Sequence, residues 1–259
     1  MKQSLSVVII TYNEEKNIRE CLESVRRMAD EIVIVDGNST DQTLTIAKEY
    51  ASIIEVTADW LGFGVQKNRA LSLATSDWVL SLDGDERVSP ELAEEISLIL
   101  KNQPCHNAYK IPRSSWFCGR FIKYSGWSPD YVLRLFNRQS AKFSNDLVHE
   151  RVLFDGPVKN LRHPLIHYSF RNFSQVLDKM DRYSTASAEL LYANGVKASL
   201  TKAVMHGIWA FLRTYFFRAG FLDGAHGFAL AVSNAEGTYY RYIKLWFLIQ
   251  ERKECQRNS

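Results

Sequence analysis

The sequence predicts an α/β protein: a doubly wound, mostly parallel sheet with a helical C-terminal extension. Three observations predict it. Short β-branched or apolar runs alternate with amphipathic stretches through the first hundred residues, the pattern of repeated βα units. Three of those runs end in polar or acidic residues: Thr11-Tyr12-Asn13-Glu14, Asp36-Gly37-Asn38 and Asp83-Gly84-Asp85. From about 172 onward the apolar positions take a helical period, beginning with Phe173, Val176, Leu177 and Met180.

Ser6 to Thr11 is a β-branched run suited to a strand covered on both faces. Ile18, Leu22 and Val25 then form a helical stripe, with Asn13 as the expected N-cap. Glu31 to Asp36 reads as a second buried strand, and Ser39-Thr40-Asp41-Gln42 as a capping box opening a second helix. Ile53 to Val56 is a third strand. Val65 to Leu73 is a helix after the flexible Gly62-Phe63-Gly64, and Trp78 to Leu82 is a fourth strand. Ser89-Pro90-Glu91 has a capping residue, a proline and an acid in the right order for a helix start. Leu92, Ile96, Ile99 and Leu100 supply that helix's apolar face.

Between about 105 and 170, Pro112, Gly119, Gly126, Pro129, Gly156 and Pro164 divide the chain into short strands and loops. Further helices are expected over 199–218 and 228–250, and the polar end from Glu251 to Ser259 should fray. The expected division is an α/β domain over 1–170, in two halves, 1–104 and 105–170, and a helical region over 171–259.

With 259 residues, 46% of them apolar, the chain can bury a sizeable core. A formal net charge of +3 gives no reason to expect nucleic acid, and tolerates an anionic membrane surface or a phosphorylated substrate. Cys21, Cys105, Cys118 and Cys255 form no C-x-x-C pair, and no cationic and apolar leader precedes the first strand. Free thiols and a reducing, cytoplasmic setting are expected.

Ligands on such sheets bind outside the carboxyl ends of the strands, where the three polar strand ends gather. Asp83-Gly84-Asp85 puts two carboxylates near one small site. Hard divalent cations take one or two such ligands together with substrate phosphates, and an acidic surface turn is the competing reading. Asp36 has the position of a ribose or base acceptor, or simply of a turn. Thr11 to Glu14 can meet an anion, or only cap a helix. His163 and His167 lie four apart, but Pro164 between them argues against a shared helix, so no zinc site is expected.

Taken together, VVIITYNEE, IVIVDGNSTDQT, GFGVQKNRAL and WVLSLDGDERV resemble the family 2 nucleotide-sugar glycosyltransferases of the GT-A fold. The resemblance implies that Tyr12, Glu14 and Asp36 bind the uridine of a UDP-sugar, with Thr11 and Gly84 in the same set. It places Asp83 near the ribose and diphosphate. Asp85 becomes the principal ligand of Mg²⁺ or Mn²⁺, with Asp83 beside it. Lys67 and Arg69 would sit near the sugar-diphosphate, or remain helix-face charges.

Farther on, GWSPD from Gly126, RLFNR from Arg134, Lys142-Phe143 and Val148-His149-Glu150-Arg151 are similar to the lipopolysaccharide-core β-1,4-glucosyltransferase subgroup. So are GFLDGAHGFALA and YYRYIKLW. The implied donor is UDP-glucose and the implied acceptor a heptose of the inner core. Another UDP-sugar or acceptor, or a non-catalytic binding module, are the rival readings. An inverting transferase needs one general base. Glu150 takes its place, with Asp130 as the alternative and an ion pair to Arg151 as the structural reading of Glu150. Arg134 would help the leaving group, or serve a strand-side ion pair.

Ala203 to Leu212 carries no formal charge but is too short to span a bilayer. Trp209, Phe211, Tyr215, Phe216, Phe217 and Phe221 alternate with Arg213 and Arg218, a composition that suits an interfacial helix on an anionic membrane. Domain packing would explain it equally. A lipid-linked acceptor favours peripheral attachment to the inner face of the bacterial inner membrane.

Overall fold

The structure, a computed structural model, describes residues 2–102, 104–144 and 150–257. The chain divides into two compact units. The first comprises Met1–Ser114 and Asp130–Tyr168, the second Ser115–Pro129 and Ser169–Ser259.

Four parallel strands carry the first unit. β1 (Leu5–Thr11) is buried along its whole length and lies between β2 (Glu31–Asp36) and β4 (Trp78–Asp83); β3 (Ile53–Val56) extends the sheet beyond β2. Side chains on a strand alternate between faces, and β1 feeds two cores in this way. Val7 and Ile9 pack with Ile18 and Leu22 of α1 (Ile18–Val25) and with Leu92 and Ile96 of α4 (Pro90–Lys101). Val8 and Ile10 face the other way, toward Ala70 of α3 (Phe63–Leu73). The remaining strands are β5 (Glu86–Val88), β6 (Ala108–Phe117), β7 (Arg120–Phe121), β8 (Asp130–Asn137), β9 (Ala141–Phe143), β10 (Val152–Phe154), β11 (Lys159–Asn160) and β12 (Leu165–Phe170). The order is β3-β2-β1-β4-β8-β6-β12-β5, and β8 pairs antiparallel with both β4 and β6. The sheet is thus parallel where the βα units build it and mostly antiparallel beyond them, the short β11 pairing parallel with β6.

Two expected helix starts move. Asn13 does not cap α1. It has φ 55°, accepts from the Thr40 backbone N–H at 2.9 Å, and α1 begins five residues later. Ser39 does not cap α2 (Thr43–Ala47) either. Its hydroxyl accepts from the Asn13 N–H at 2.8 Å and donates to Asp36 at 2.7 Å. Both residues tie the loop after β1 to the loop after β2. Ser89 behaves as expected and accepts from the Leu92 N–H at 3.2 Å, with Pro90 opening α4. Cys21, Cys105 and Cys118 are free thiols.

In the second unit, Trp116 and Phe117 pair with Phe121 and Arg120 across a tight turn. Cys118 and Gly119 take positive φ there, 46° and 113°, as a two-residue hairpin loop requires. Phe117, Ile122, Val176 and Leu230 form its core. α5 (Phe173–Ala193), capped by Asn172, and α6 (Leu200–Leu212), capped by Ser199, both pack on α7 (Gly224–Arg257). A π-helical turn, Arg213–Phe217, continues α6, and a short 3₁₀ turn, Gly220–Asp223, follows it. The polar end expected to fray from Glu251 remains helical to Arg257.

Candidate active site

The parallel register brings the three polar strand ends to one edge: Thr11 lies opposite Asp36, and Ile10 opposite Asp83. Asp36 is fully buried and its carboxylate accepts three hydrogen bonds at 2.7 Å, from the Thr11 hydroxyl, the Ser39 hydroxyl and the Ser39 N–H. Full pairing is what a buried carboxylate demands. Asp36 therefore organises the loop that begins with Gly37.

Asp83 belongs to a chain of alternating charges. Lys67, on α3 and almost wholly buried, donates to Asp83 at 2.8 Å and to Glu150 at 2.7 Å. Arg134, on β8, pairs with the other oxygen of Asp83 and, at 2.8 Å, with Glu86. Glu86 is fully buried; it also accepts from the Asp83 N–H at 3.0 Å and lies 3.7 Å from Arg113. Arg113 in turn grips Asp130, its Nε at 2.9 Å. The order is Glu150, Lys67, Asp83, Arg134, Glu86, Arg113, Asp130. Burial alone would raise the Asp83 carboxyl, but the charges of Arg134 and Lys67 outweigh it and hold the group well below the usual carboxylate range. Burial likewise works against the Arg134 charge, and Asp83 and Glu86 more than restore it.

Asp85 stands apart from this chain, 3.4 Å from His167 Nε2. The contact comes from β12 pairing antiparallel with β5, where His167 faces Glu86, and from Tyr168 donating its N–H to the Asp85 carbonyl at 3.0 Å. Among the described residues no group of three or more His, Cys, Asp or Glu side chains is arranged to hold a metal ion. Both Asp83 oxygens are engaged by cations. Asp85 and His167 bring a carboxylate and an imidazole to one place, and these are the residues that would hold a divalent cation alongside a phosphorylated substrate. Gly84 lets the edge close, since a Cβ there would stand 3.1 Å from Glu14 Cγ. Burial pushes the Glu14 carboxyl up; the Asn17 amide, donating at 2.7 Å, opposes it, and the Asp85 charge adds to the rise.

Tyr12 is exposed, with its ring centroid 6.2 Å from that of Trp60, which meets Phe63 edge-on at 5.4 Å. Trp60 lies directly on Gly37, where a Cβ would come within 2.6 Å of the indole. Arg69 joins none of this. It holds Asp59 through two bonds, at 2.8 and 2.9 Å, and Gln66 at 2.9 Å. Lys67, Asp83, Arg134 and Glu150 come together as a group, and Asp130 reaches them through Arg113 and Glu86. Glu150 pairs with Lys67 rather than with Arg151, while Val148 and His149 lie outside the described residues. The sequence reading missed Trp60, Glu86 and Arg113, and weighed His167 only as half of a zinc pair with His163 that it set aside. An aromatic beside a Gly-x-Gly loop was the available signal for Trp60; none existed for Arg113.

Residues 6–161 match the profile of Glycosyl transferase family 2. An uncharacterized glycosyltransferase of Rickettsia typhi is 34% identical over 255 residues, covering 94% of this chain and 87% of its own. The lipopolysaccharide core biosynthesis glycosyltransferase LpsC of Rhizobium meliloti is 29% identical over 256 residues, covering 95% and 93%. Among solved structures, S. aureus TarS 1–349 in complex with UDP-GlcNAc superposes with a TM-score of 0.50 at 17% identity, over 98% of this chain and 92% of that one. That likeness is one of fold.

Proposed function

Because the chain belongs to glycosyl transferase family 2, we propose that it is an inverting, UDP-sugar-dependent transferase acting on a lipid-linked saccharide. The observation that carries the reading is the convergence of Lys67 and Arg134 on Asp83 at the carboxyl end of a parallel strand. Two buried cations at a strand-end site suit a diphosphate better than any neutral ligand. The donor proposed is UDP-glucose, and the acceptor a heptose of the lipopolysaccharide inner core. The named lipopolysaccharide-core relative supports the acceptor. Tyr12, with Thr11 and Glu14, would face the uridine. Trp60 on the bare Gly37 belongs to the same edge, and Asp36 holds it in shape.

Glu150 is the proposed base. It takes the proton from the acceptor hydroxyl as that oxygen bonds to the anomeric carbon, and the bond to the UDP oxygen breaks on the opposite face. Asp130 is the alternative, and its two-handed grip by Arg113 makes it the less available of the pair. Lys67 orients Glu150, while Lys67 and Arg134 supply positive charge beside the leaving diphosphate. A divalent cation held by Asp85 and His167 would offset the charge developing on that diphosphate.

The test is a thermal shift with UDP, with and without Mn²⁺, on the wild type and on Asp85→Asn, followed by turnover with a panel of UDP-sugars. Ligand at about a hundred times its Kd should add roughly 2.7 kcal/mol, or about 5–10 °C for a chain of this size. A Mn²⁺-dependent shift that Asp85→Asn abolishes is the expected result. No shift under either condition would overturn the donor assignment.

A further inference from the structure

The helix α6 is built inside out. Ala203, Gly207 and Ala210, its small residues, are the ones it buries. The fit is close, since a Cβ on Gly207 would stand 3.3 Å from the Ala235 carbonyl oxygen and from Tyr239 Cβ. The large apolar residues Val204, Met205, Ile208 and Trp209 fall away from that side and are exposed, Met205 to 59%. The π-helical turn extends this surface with Phe216 and with Phe217, 72% exposed. Soluble proteins rarely leave a contiguous apolar patch of this kind without a partner.

The charges around it identify the partner. No Asp or Glu occurs between Glu189 and Asp223. Lys197, Lys202, Arg213 and Arg218 lie in that stretch and all four are exposed. Asp223, at its end, is buried with its carboxylate accepting from the Lys123 and Tyr124 N–H groups, each at 3.0 Å. A second copy of this chain docked face to face would set these cations against their own equivalents. Among the described residues no helix is long and apolar enough to cross a membrane. An apolar strip with aromatic ends, on a stretch of chain whose only exposed formal charges are cationic, is the form that lies in the plane of an anionic membrane surface.

We propose that the outward face of α6 and the π-helical turn after it dock the protein on an anionic lipid bilayer. This deepens the reading above and rests on it in one respect, that a lipid-linked acceptor is presented at a membrane. The experiment is flotation of the full chain with phosphatidylcholine vesicles, with and without phosphatidylglycerol. The wild type should float with the anionic vesicles and stay behind with the neutral ones. Arg213→Gln should lower partitioning about fivefold, the effect of one cation near such a surface. A Trp209→Gln, Phe217→Gln double variant should remain in the soluble fraction while its thermal response to UDP is unchanged. Absence of flotation by a wild type that still responds to UDP would overturn the proposal. So would a dimer in solution that the double variant abolishes. Flotation without any response to UDP would leave the surface standing and remove the donor assignment instead.

Discussion

Beneath the loops that follow β4 in the first unit, charged side chains are withdrawn from water and paired. Along α6 in the second unit, large apolar side chains are turned out to water while small ones are buried. Each region reverses the ordinary placement of its residue type, but the reversals differ in what holds them. The buried charges are held by one another, so the first unit depends on every member of its chain. The exposed apolar residues of α6 contribute little to the folded chain in solution, since they touch little. A reversal maintained at a cost in stability marks a site; one that costs the fold nothing marks a surface.

The contrast is broken most directly at Arg134. Arg134→Ala leaves Asp83 and Glu86 without their shared cation, and removing one member of a buried ion pair costs about 3–5 kcal/mol. A drop in Tm on the order of 10 °C is expected by calorimetry, and a change within a degree or two would mean that the chain is not a structural unit. Ser89→Ala sets the scale between the two regions. It removes the side-chain acceptor at the start of α4 and should lower stability by about 1 kcal/mol. On the apolar side, Trp209→Gln should change stability by no more than about 0.5 kcal/mol, as for other exposed positions. A loss as large as that of Arg134→Ala would show that α6 is held by its outer face after all.

The smallest effect expected is a gain. The folded-state pKa of Glu14 is raised, chiefly by burial. Its contribution to stability is therefore present in full below the unfolded value, about 4.3, and is lost as pH rises through the folded value. Glu14→Gln removes that loss. Its Tm should exceed the wild type's at pH 7, and the difference should close below about pH 4, where Glu14 is protonated in both states. A Tm difference that does not change between those pH values would rule out charge burial as its cause.

The parallel strands were legible because each is a local run with its polar end attached: Ser6 to Thr11, Glu31 to Asp36 and Trp78 to Leu82. Ser89 was legible for the same reason, its cap being three residues away. Asn13 and Ser39 misled because their side chains bond across 26 and 27 residues to each other's loops instead of to the helices that follow them. The partners in the charge chain lie farther apart still, Lys67 and Glu150 by 83 residues, and Arg134 and Asp83 by 51. His167 meets Asp85 only because β12 pairs with β5. Spacing along the sequence reports a strand end and its charge; it does not report which distant cation the fold will place there.

The charge chain also has a parity. Four acids, Glu150, Asp83, Glu86 and Asp130, alternate with three bases, Lys67, Arg134 and Arg113. Both ends are acidic, so the row is internally satisfied everywhere except at its termini, and it closes with one surplus negative charge. An arriving anion finds every cation already shared between two neighbours. A diphosphate that arrives with a divalent cation brings the positive charge that offsets the surplus. The two termini are Glu150 and Asp130, the residues from which a proton acceptor would be chosen.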